Sequence, residues 1–333
     1  MTSAQQPGRN CPLHYRYSPS DFAVPASSCC EVLYVVGGLY GNVQALQRVI
    51  DLFELERGDK RLVFNGDFHW FDIDASAFAQ IQRAVLASDA TRGNVETELA
   101  APASDDGVDS GCGCAYPDWV GDAVVERSNR ILARLRGTAR ALPGACRELA
   151  MLPMWRRINV GACRVAVVHG DAQSLSGWGF AQETLHEPVQ QQIALRWFEQ
   201  AQVDIFASSH TCLPVFQGFE ERSRDGVATF APLVLNNGAA GMPNLAGARE
   251  GLLTRIATRP FEGPQRRFRL QRGALHIDAI AIDYDDVAWQ RSFLAQWPAG
   301  SDAHTSYWQR ISAGTDHTID DAMRVERTFI EAC

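Results

Sequence analysis

The stretch LVFNGDFHWFD, residues 62–72, contains the end of a buried strand followed by an abrupt break in the chain. Residues 62–64 are consecutive, bulky and apolar, which is typical of a strand that is covered on both faces. The chain then breaks at Asn65 and Gly66 and presents Asp67 just after the strand. Because ligands bind at the carboxyl ends of strands in open α/β sheets, this carboxylate is well placed for a functional role.

Four other loops offer polar groups at the same place relative to a predicted strand. Their sequences are VVGGLYGN (35–42), RGNVE (92–96), VVHGD (167–171) and SSHTC (208–212). Two strand–helix units follow one another between residues 32 and 86, which predicts a parallel or mixed sheet with right-handed crossovers. A helix is predicted at residues 120–142 and a hairpin at 155–168, so the pattern indicates an α/β protein.

Composition and charge narrow the class of protein. The 333 residues suffice for one large α/β domain or two ordinary ones, and 46% hydrophobic with 21% charged residues is typical of a soluble globular protein. The net charge of −8 argues against a surface for nucleic acid or anionic membranes. No apolar run reaches the ~18 residues of a membrane span, and the N-terminus lacks the pattern of a secretory signal. We therefore expect a cytoplasmic protein whose nine cysteines are mostly free thiols.

The chain divides into three segments by composition. Residues 1–30, rich in Pro, Ser and Cys, are expected to form an irregular arm. Residues 31–284 are predicted to form the main domain, in which the small and acidic stretch at 100–118 is an insertion loop. Residues 285–333 are predicted to form a helical extension that packs on the same domain.

Residues 32–245 resemble the calcineurin-like metallophosphoesterase superfamily in the order of these loops. That family's motifs run Asp-x-His-Gly-Asn, Gly-Asp, Gly-Asn-His-Glu, His-Gly and Gly-His-Thr-His. The matching residues here are GLYGN (38–42), GD (66–67), GNVE (93–96), HG (169–170) and SHTC (209–212). The resemblance implies a four-layer α/β-β/α sandwich, in which two mixed sheets pack face to face and helices flank them.

The resemblance also implies a metal site that is only half complete. One of the family's two metal sites has all four ligands here, namely Asp67, Asn94, His169 and His210. The first three of these residues would also be catalytic. At the other site Gly38, Tyr40 and Cys212 stand where relatives have Asp, His and His. The family's general acid, the His of Gly-Asn-His-Glu, is replaced by Val95.

Each of these residues also has a simpler interpretation. His169 and His210 could be core histidines satisfied by hydrogen bonds, and Asp67 and Asn94 could be turn residues. If a metal is bound, the resemblance favours Mn²⁺ or iron, with Zn²⁺ as the alternative. Three further residues are candidates for facing the substrate, namely Asn42, Tyr40 and His69. His69 is expected to pair with Asp72 in the loop, with replacement of the lost proton donor as the alternative.

Cys112-Gly113-Cys114 is a motif that the resemblance does not supply. In an extended segment residues i and i+2 point to the same side, so two thiolates could hold one soft metal ion. Cys212 would complete such a second, soft-metal site at the vacated position. The alternative is a flexible loop with two incidental thiols and a buried, inert Cys212.

Two functions remain open from the sequence. The first is a metal-dependent phosphoesterase that hydrolyses a phosphomonoester or phosphodiester of a small molecule through a metal-activated water. The second is a catalytically weak or inactive binding or scaffold protein with the same fold, as in a retromer subunit of this superfamily. The complete ligand set at Asp67, Asn94, His169 and His210 favours the enzyme. The absence of ligands for the second metal at positions 38, 40 and 212 favours the scaffold. Neither the substrate nor the oligomeric state can be predicted.

Overall fold

The computed structural model describes residues 6–101, 109–219 and 231–325, so residues 102–108 of the predicted insertion loop lie outside the described residues. The strands are β1 (Ser28–Cys30), β2 (Val32–Val36), β3 (Lys60–Asn65), β4 (Asp89–Thr91), β5 (Trp155–Val160), β6 (Cys163–Val168), β7 (Ile205–Ser208), β8 (Pro214–Gly218), β9 (Leu233–Asn237), β10 (Gly251–Ala257), β11 (Arg266–Arg272), β12 (Leu275–Ile282) and β13 (Met323–Arg324). The helices are α1 (Val43–Leu55), α2 (Ala75–Leu86), α3 (Asn94–Ala100), α4 (Asp122–Ala141), α5 (Ala145–Ala150), α6 (Pro188–Ala201), α7 (Asp286–Gln296), α8 (Asp302–Ala313) and α9 (Ile319–Ala322). None of the helices in these ranges combines the length and the apolar composition that crossing a bilayer requires.

These strands form two mixed sheets. The first sheet has the strand order β1-β5-β6-β7-β9-β8-β13, and the second has the order β11-β12-β10-β2-β3-β4. In the first sheet β6, β7 and β9 run parallel to one another, and in the second β2, β3 and β4 do so. The other pairs include antiparallel hairpins, such as the predicted one between β5 and β6. The predicted sandwich of two mixed sheets flanked by helices is therefore confirmed.

The two sheets pack face to face over an apolar core. Val35 and Val63 of the second sheet share this core with Val165 and Leu235 of the first. Helices α1, α2 and α4 cover the outer face of the second sheet, and α6 covers that of the first. Burial on both faces explains why a strand such as β3 ends in a continuous apolar run.

The carboxyl ends of β3 and β6 meet at one edge of the sandwich. Asn65, the last residue of β3, donates from Nδ2 to the carbonyl of Val168 at 2.6 Å. The carbonyl of Asn65 accepts a hydrogen bond from Ser209 Oγ at 2.7 Å. Because these bonds join the two sheets, the loops that follow their parallel strands open into one crevice.

The two ends of the described chain pack on this sandwich. Residues 28–30, expected within an irregular arm, form β1 and pair in parallel with β5 at the edge of the first sheet. At the other end α7 contacts α1, and α8 contacts α4. Trp289, Phe293 and Trp297 are almost fully buried, so they anchor the C-terminal helices as aromatic residues at helical spacing commonly do.

A buried ion network ties β10, β11 and β12 to the end of α1. Arg255 Nε lies 2.7 Å from Glu56 Oε2, and its Nη1 lies 3.2 Å from Asp278 Oδ2. Arg269 Nε lies 2.6 Å from the other oxygen of Asp278. Each charge in this network has an opposite partner, which is the condition for burying charged side chains.

Candidate metal centre

Four side chains from different loops converge in the crevice. Asp67 follows β3, Asn94 begins α3, and His169 and His210 follow β6 and β7. The Nε2 atom of His169 lies 3.3 Å from Asp67 Oδ1, 3.2 Å from Asn94 Oδ1 and 3.2 Å from His210 Nδ1. Among the described residues, Asp67, His169 and His210 form a group whose ligand atoms all lie within 4.8 Å of one another. All four side chains are buried.

Hydrogen bonds on the far sides of the two imidazoles fix which nitrogens face the centre. His169 Nδ1 lies 2.9 Å from the carbonyl of Asn65, and His210 Nε2 lies 3.1 Å from the carbonyl of Cys114. Because a carbonyl can only accept, these outer nitrogens carry protons, and His210 Nδ1, on a neutral ring, presents a lone pair to the centre. His169 Nε2 points to the same place, where either a proton or a metal ion would satisfy its contacts with Asp67, Asn94 and His210. The donor set therefore fits a metal ion.

The amide of Asn94 is oriented in the same way. Its Nδ2 donates to the carbonyl of Cys112 at 2.9 Å, so its oxygen is turned toward His169. With the carboxylate of Asp67, the centre presents two oxygen and two nitrogen acceptors. Such a mixed set of imidazole and oxygen ligands suits Mn²⁺, Fe²⁺ or Zn²⁺.

Glu96 braces the loop that carries Asp67. Its Oε2 accepts hydrogen bonds from the backbone N–H groups of Asp67 and Gly93, each at 2.8 Å. Its Oε1 accepts from the N–H of Phe68 at 3.1 Å. A Cβ at Gly93 would overlap Asp67 Oδ1 and the ring of His169, so glycine is needed there for the ligands to approach. Burial, followed by the nearby charge of Asp67, raises the pKa of Glu96.

The protonation of the ligands reflects the balance of burial and charge. Burial alone would raise the pKa of Asp67, but His169 beside it outweighs this and lowers it. Burial alone would lower the pKa of His169, but Asp67 outweighs this and raises it. Burial, and then the repulsion from His169, lowers the pKa of His210 to about 4. His210 is therefore neutral near pH 7 and free to bind a metal.

Gly38, Tyr40 and Cys212 pack against one another beside the cavity. The ring of Tyr40 occupies the space beside the Cα of Gly38, and its hydroxyl lies 2.6 Å from Cys212 Sγ. Burial raises the pKa values of the Tyr40 phenol and the Cys212 thiol, so both groups are neutral near pH 7 and are weak metal ligands. Tyr40, Asp67 and Cys212 have φ values of 53°, 52° and 61°, a left-handed conformation that commonly marks functional loops.

A cavity of about 190 Å³ opens over Asp67, Asn94 and His210. Much of its wall is aromatic, supplied by Tyr40, Trp70, Tyr116, Trp178 and Tyr307. Val95 also lines it and gives the wall an apolar side chain beside Asn94. Arg310 of α8 is the cationic side chain of the lining, and its Nη2 donates to the carbonyl of Cys212 at 2.8 Å.

Two of the predicted substrate-facing residues lie elsewhere. Asn42 caps α1 by accepting from the N–H of Ala45 at 2.9 Å, and it does not line the cavity. His69 does not line the cavity either; its Nδ1 lies 2.6 Å from Asp72 Oδ2, and its ring stacks on Phe78 at 3.7 Å. The predicted loop pair of His69 and Asp72 is therefore confirmed. Tyr40 does line the cavity.

The three cysteines of the predicted soft-metal site do not form a ligand group. Cys112 and Cys114 are joined to each other by a disulfide, which removes both thiolates. Cys212 is paired with Tyr40 instead. In the described part of the chain, the group with metal-ligand spacing is the one at Asp67 and does not include these cysteines.

Several residues of the site could not be singled out from the sequence. Tyr307 and Arg310 reach the cavity from α8, more than 95 residues after His210, and no local motif marks them. Trp178 lines the cavity from a loop after β6. Glu96 had a signal, since a Glu three residues after a helix N-cap commonly accepts backbone hydrogen bonds.

No protein-family model matches the sequence, and no curated protein is significantly similar to it. Two solved structures are similar in three dimensions. A metallophosphoesterase from Sphaerobacter thermophilus has a TM-score of 0.52 and 16% identity, covering 85% of this chain and 100% of its own. A hypothetical protein from Pyrococcus horikoshii OT3 has a TM-score of 0.52 and 14% identity, covering 86% of this chain and 99% of its own. At these identities the likeness concerns the fold, and this chain has the metallophosphoesterase fold.

Proposed function

We propose that this protein is a phosphoesterase that binds one divalent metal ion through Asp67, Asn94, His169 and His210. The observation that carries the proposal is the set of four side-chain atoms with metal-binding chemistry that face one another at His169 Nε2. Protons on the outer nitrogens of both imidazoles point away from this centre.

The donor set favours Mn²⁺ or iron, with Zn²⁺ as the alternative. Bound there, the ion would lower the pKa of a coordinated water and neutralise charge on a phosphoryl group. Other residues of the protein orient these ligands through hydrogen bonds on the side away from the metal. Asn65 and Cys114 orient the imidazoles through their carbonyls, and Glu96 holds the loop of Asp67.

The cavity indicates where a small phosphoester would bind. Arg310 supplies a positive charge on its wall, which suits the oxygens of a phosphoryl group. Its guanidinium is held by the carbonyls of Pro243 and Cys212, each at 2.8 Å. The aromatic wall suits an apolar or planar organic group on the same substrate.

The chemistry of the leaving group follows from Val95. An apolar side chain cannot donate a proton, and the Tyr116 hydroxyl on the cavity wall is paired with Ser128 Oγ at 3.0 Å. His69 is turned away from the cavity. We therefore propose that the enzyme acts best on esters whose leaving group needs no proton, such as aryl phosphomonoesters or phosphodiesters.

A binding or scaffold protein is the second candidate. It is favoured by one observation, the Tyr40 ring that fills the space beside Gly38, where the resemblance would place ligands of a second metal. Hydrolysis of a panel of aryl phosphomonoesters and phosphodiesters with Mn²⁺, Fe²⁺ and Zn²⁺ separates the two functions. Turnover that disappears in Asp67→Ala supports the enzyme. Tight metal binding without turnover on any ester supports the scaffold.

A further inference from the structure

The segment Cys112-Gly113-Cys114 lies directly behind two of the proposed metal ligands. Asn94 Nδ2 donates to the carbonyl of Cys112 at 2.9 Å, and His210 Nε2 donates to the carbonyl of Cys114 at 3.1 Å. Asn94 and His210 are far apart in the chain and belong to loops of different sheets. Their orientations therefore depend on two carbonyls that are only two residues apart.

Both cysteines are buried at this position. Cys112 is fully buried, while Cys114 is 7% exposed and lines the cavity over the proposed metal site. Asn94 Nδ2 also lies 3.5 Å from Cys114 Sγ. The carbonyl of Cys114 accepts a second hydrogen bond, from Trp178 Nε1 at 3.0 Å. The segment is thus part of the wall of the site.

Hydrogen bonds from α4 hold the outer side of the segment. The N–H of Cys112 donates to Asn129 Oδ1 at 2.8 Å, and Arg136 Nη2 donates to the carbonyl of Gly111 at 3.4 Å. The carbonyl of Cys114 is held by its hydrogen bonds with His210 and Trp178. The carbonyl of Cys112 is held by the disulfide, because the disulfide closes a ring that contains the Cys112 carbonyl carbon and ends at the Cα of Cys114. Closing a ring removes backbone freedom between the two residues.

We propose that Cys112 and Cys114 form a redox-sensitive site whose disulfide positions Asn94 for metal binding. The proposal rests on the proposed metal site, although not on its turnover. In the oxidised state the ring holds the Cys112 carbonyl behind Asn94. In the reduced state two separate thiols replace the ring, and the Cys112 carbonyl is free to turn away from Asn94.

The reduction is an ordinary exchange with a dithiol. A thiolate of the reductant attacks one sulfur, the bond between Cys112 Sγ and Cys114 Sγ breaks, and a mixed disulfide forms. The second thiol of the reductant then displaces the protein sulfur. The protein gains two electrons and two protons, and the reductant becomes a disulfide. Cys114 is the sulfur on the cavity side, so we expect it to be attacked first.

The test compares Mn²⁺ binding by the oxidised protein, the protein reduced with dithiothreitol and freed of reductant, and the Cys112→Ser/Cys114→Ser variant. Mass spectrometry of the digested protein establishes the redox state of the pair. Loss of an orienting partner of metal ligands typically lowers affinity by about 10- to 100-fold, and we expect that loss on reduction. The variant should resemble the reduced protein and should not respond to the reductant.

A spectroscopic measurement separates positioning from a general loss of stability. With Co²⁺ in place of Mn²⁺, the visible absorption bands should shift on reduction, because Asn94 no longer holds its place in the coordination shell. Equal Mn²⁺ affinity and equal Co²⁺ spectra in the oxidised and reduced proteins would overturn the redox proposal alone. If the oxidised protein binds neither ion, the proposed metal site fails and the redox proposal fails with it.

Discussion

The ring of Tyr40 occupies the space that any side chain at position 38 would need. A Cβ built on Gly38 would overlap two ring carbons of Tyr40 and its hydroxyl oxygen. The two residues are therefore linked, since the large residue at 40 requires the smallest one at 38. The Tyr40 hydroxyl lies 2.6 Å from Cys212 Sγ, and both groups are neutral near pH 7.

An aspartate introduced at position 38 alone should destabilise the protein. Gly38→Asp is expected to lower the free energy of unfolding by about 1–3 kcal/mol, because the new side chain overpacks against Tyr40. Adding Tyr40→His should recover much of the loss. Urea denaturation measures both effects, with Gly121→Asp as a control because a Cβ there meets open space. A fully stable Gly38→Asp single variant would contradict this packing argument.

The number of bound metal ions should be one. Protein purified without chelator is expected to retain about one equivalent of divalent metal, and His210→Ala should lose it because one of only four ligands is removed. His186→Ala, at an exposed position, is the control and should retain the metal. Plasma mass spectrometry gives the stoichiometry. Two retained equivalents in the unaltered protein would refute the single site.

A proton donor at position 95 should change the dependence on the leaving group. In the unaltered protein the rate should fall steeply as the leaving-group pKa rises, because Val95 cannot protonate it. Val95→His is expected to raise the rate on alkyl esters by about 10²- to 10⁴-fold, with little change on activated aryl esters. A series of substituted phenyl and alkyl phosphates measures this slope. Equal slopes in the unaltered protein and in Val95→His would contradict the proposal that the lack of a proton donor at position 95 limits the rate.

Metal affinity should weaken as the pH falls through the neutral range. Asp67 raises the pKa of His169 above its usual 6.5 against the effect of burial, so a proton competes with the metal at His169 Nε2 below that pKa. His210, with a pKa of about 4, adds competition only in more acidic solution. Calorimetric titrations with Mn²⁺ between about pH 5 and pH 8 test this. An affinity that does not change across this range would be inconsistent with His169 as a ligand.

Glu96 should be needed for a stable Asp67 loop. Glu96→Gln places an amide group among backbone N–H donors, and we expect a loss of about 1–3 kcal/mol in the free energy of unfolding. Metal affinity should fall as well, since Asp67 loses its support. Glu54→Gln, on an exposed face of α1, should leave both quantities unchanged. Equal unfolding free energies and equal metal affinities for Glu96→Gln and Glu54→Gln would show that the Glu96 hydrogen bonds are not needed for the Asp67 loop.

Local patterns were sufficient to predict most of the fold. The apolar run before Asp67 marks a buried strand because β3 is covered on both faces, and the hairpin of β5 and β6 and the long α4 agree closely with their predicted ranges. Strand β11 could not be predicted in this way. It contains four arginines in seven residues, and Arg269 is buried only because Asp278 of β12 lies 2.6 Å away.

The candidate site was predictable to the extent that its residues belong to motifs. Asp67, Asn94, His169 and His210 converge because each lies in the loop just after a strand, and these strands end at the same edge of the sandwich. The role of Cys112 and Cys114 depends on which carbonyls face Asn94 and His210, and no sequence pattern encodes that. Likewise, the contact between the Tyr40 ring and Gly38 depends on the left-handed backbone conformation of Tyr40, and no sequence pattern indicates that conformation.

The reach of α8 into the cavity also sets the smallest part of this chain that can be studied as a working unit. A fragment that stops after β12 would contain all four proposed ligands and all the described strands except the two-residue β13. It would nevertheless lack Tyr307 and Arg310, and with them the cation of the cavity lining. Expression of this protein in shortened form, or transplantation of its site to another scaffold, therefore has to carry the sequence through at least Ala313.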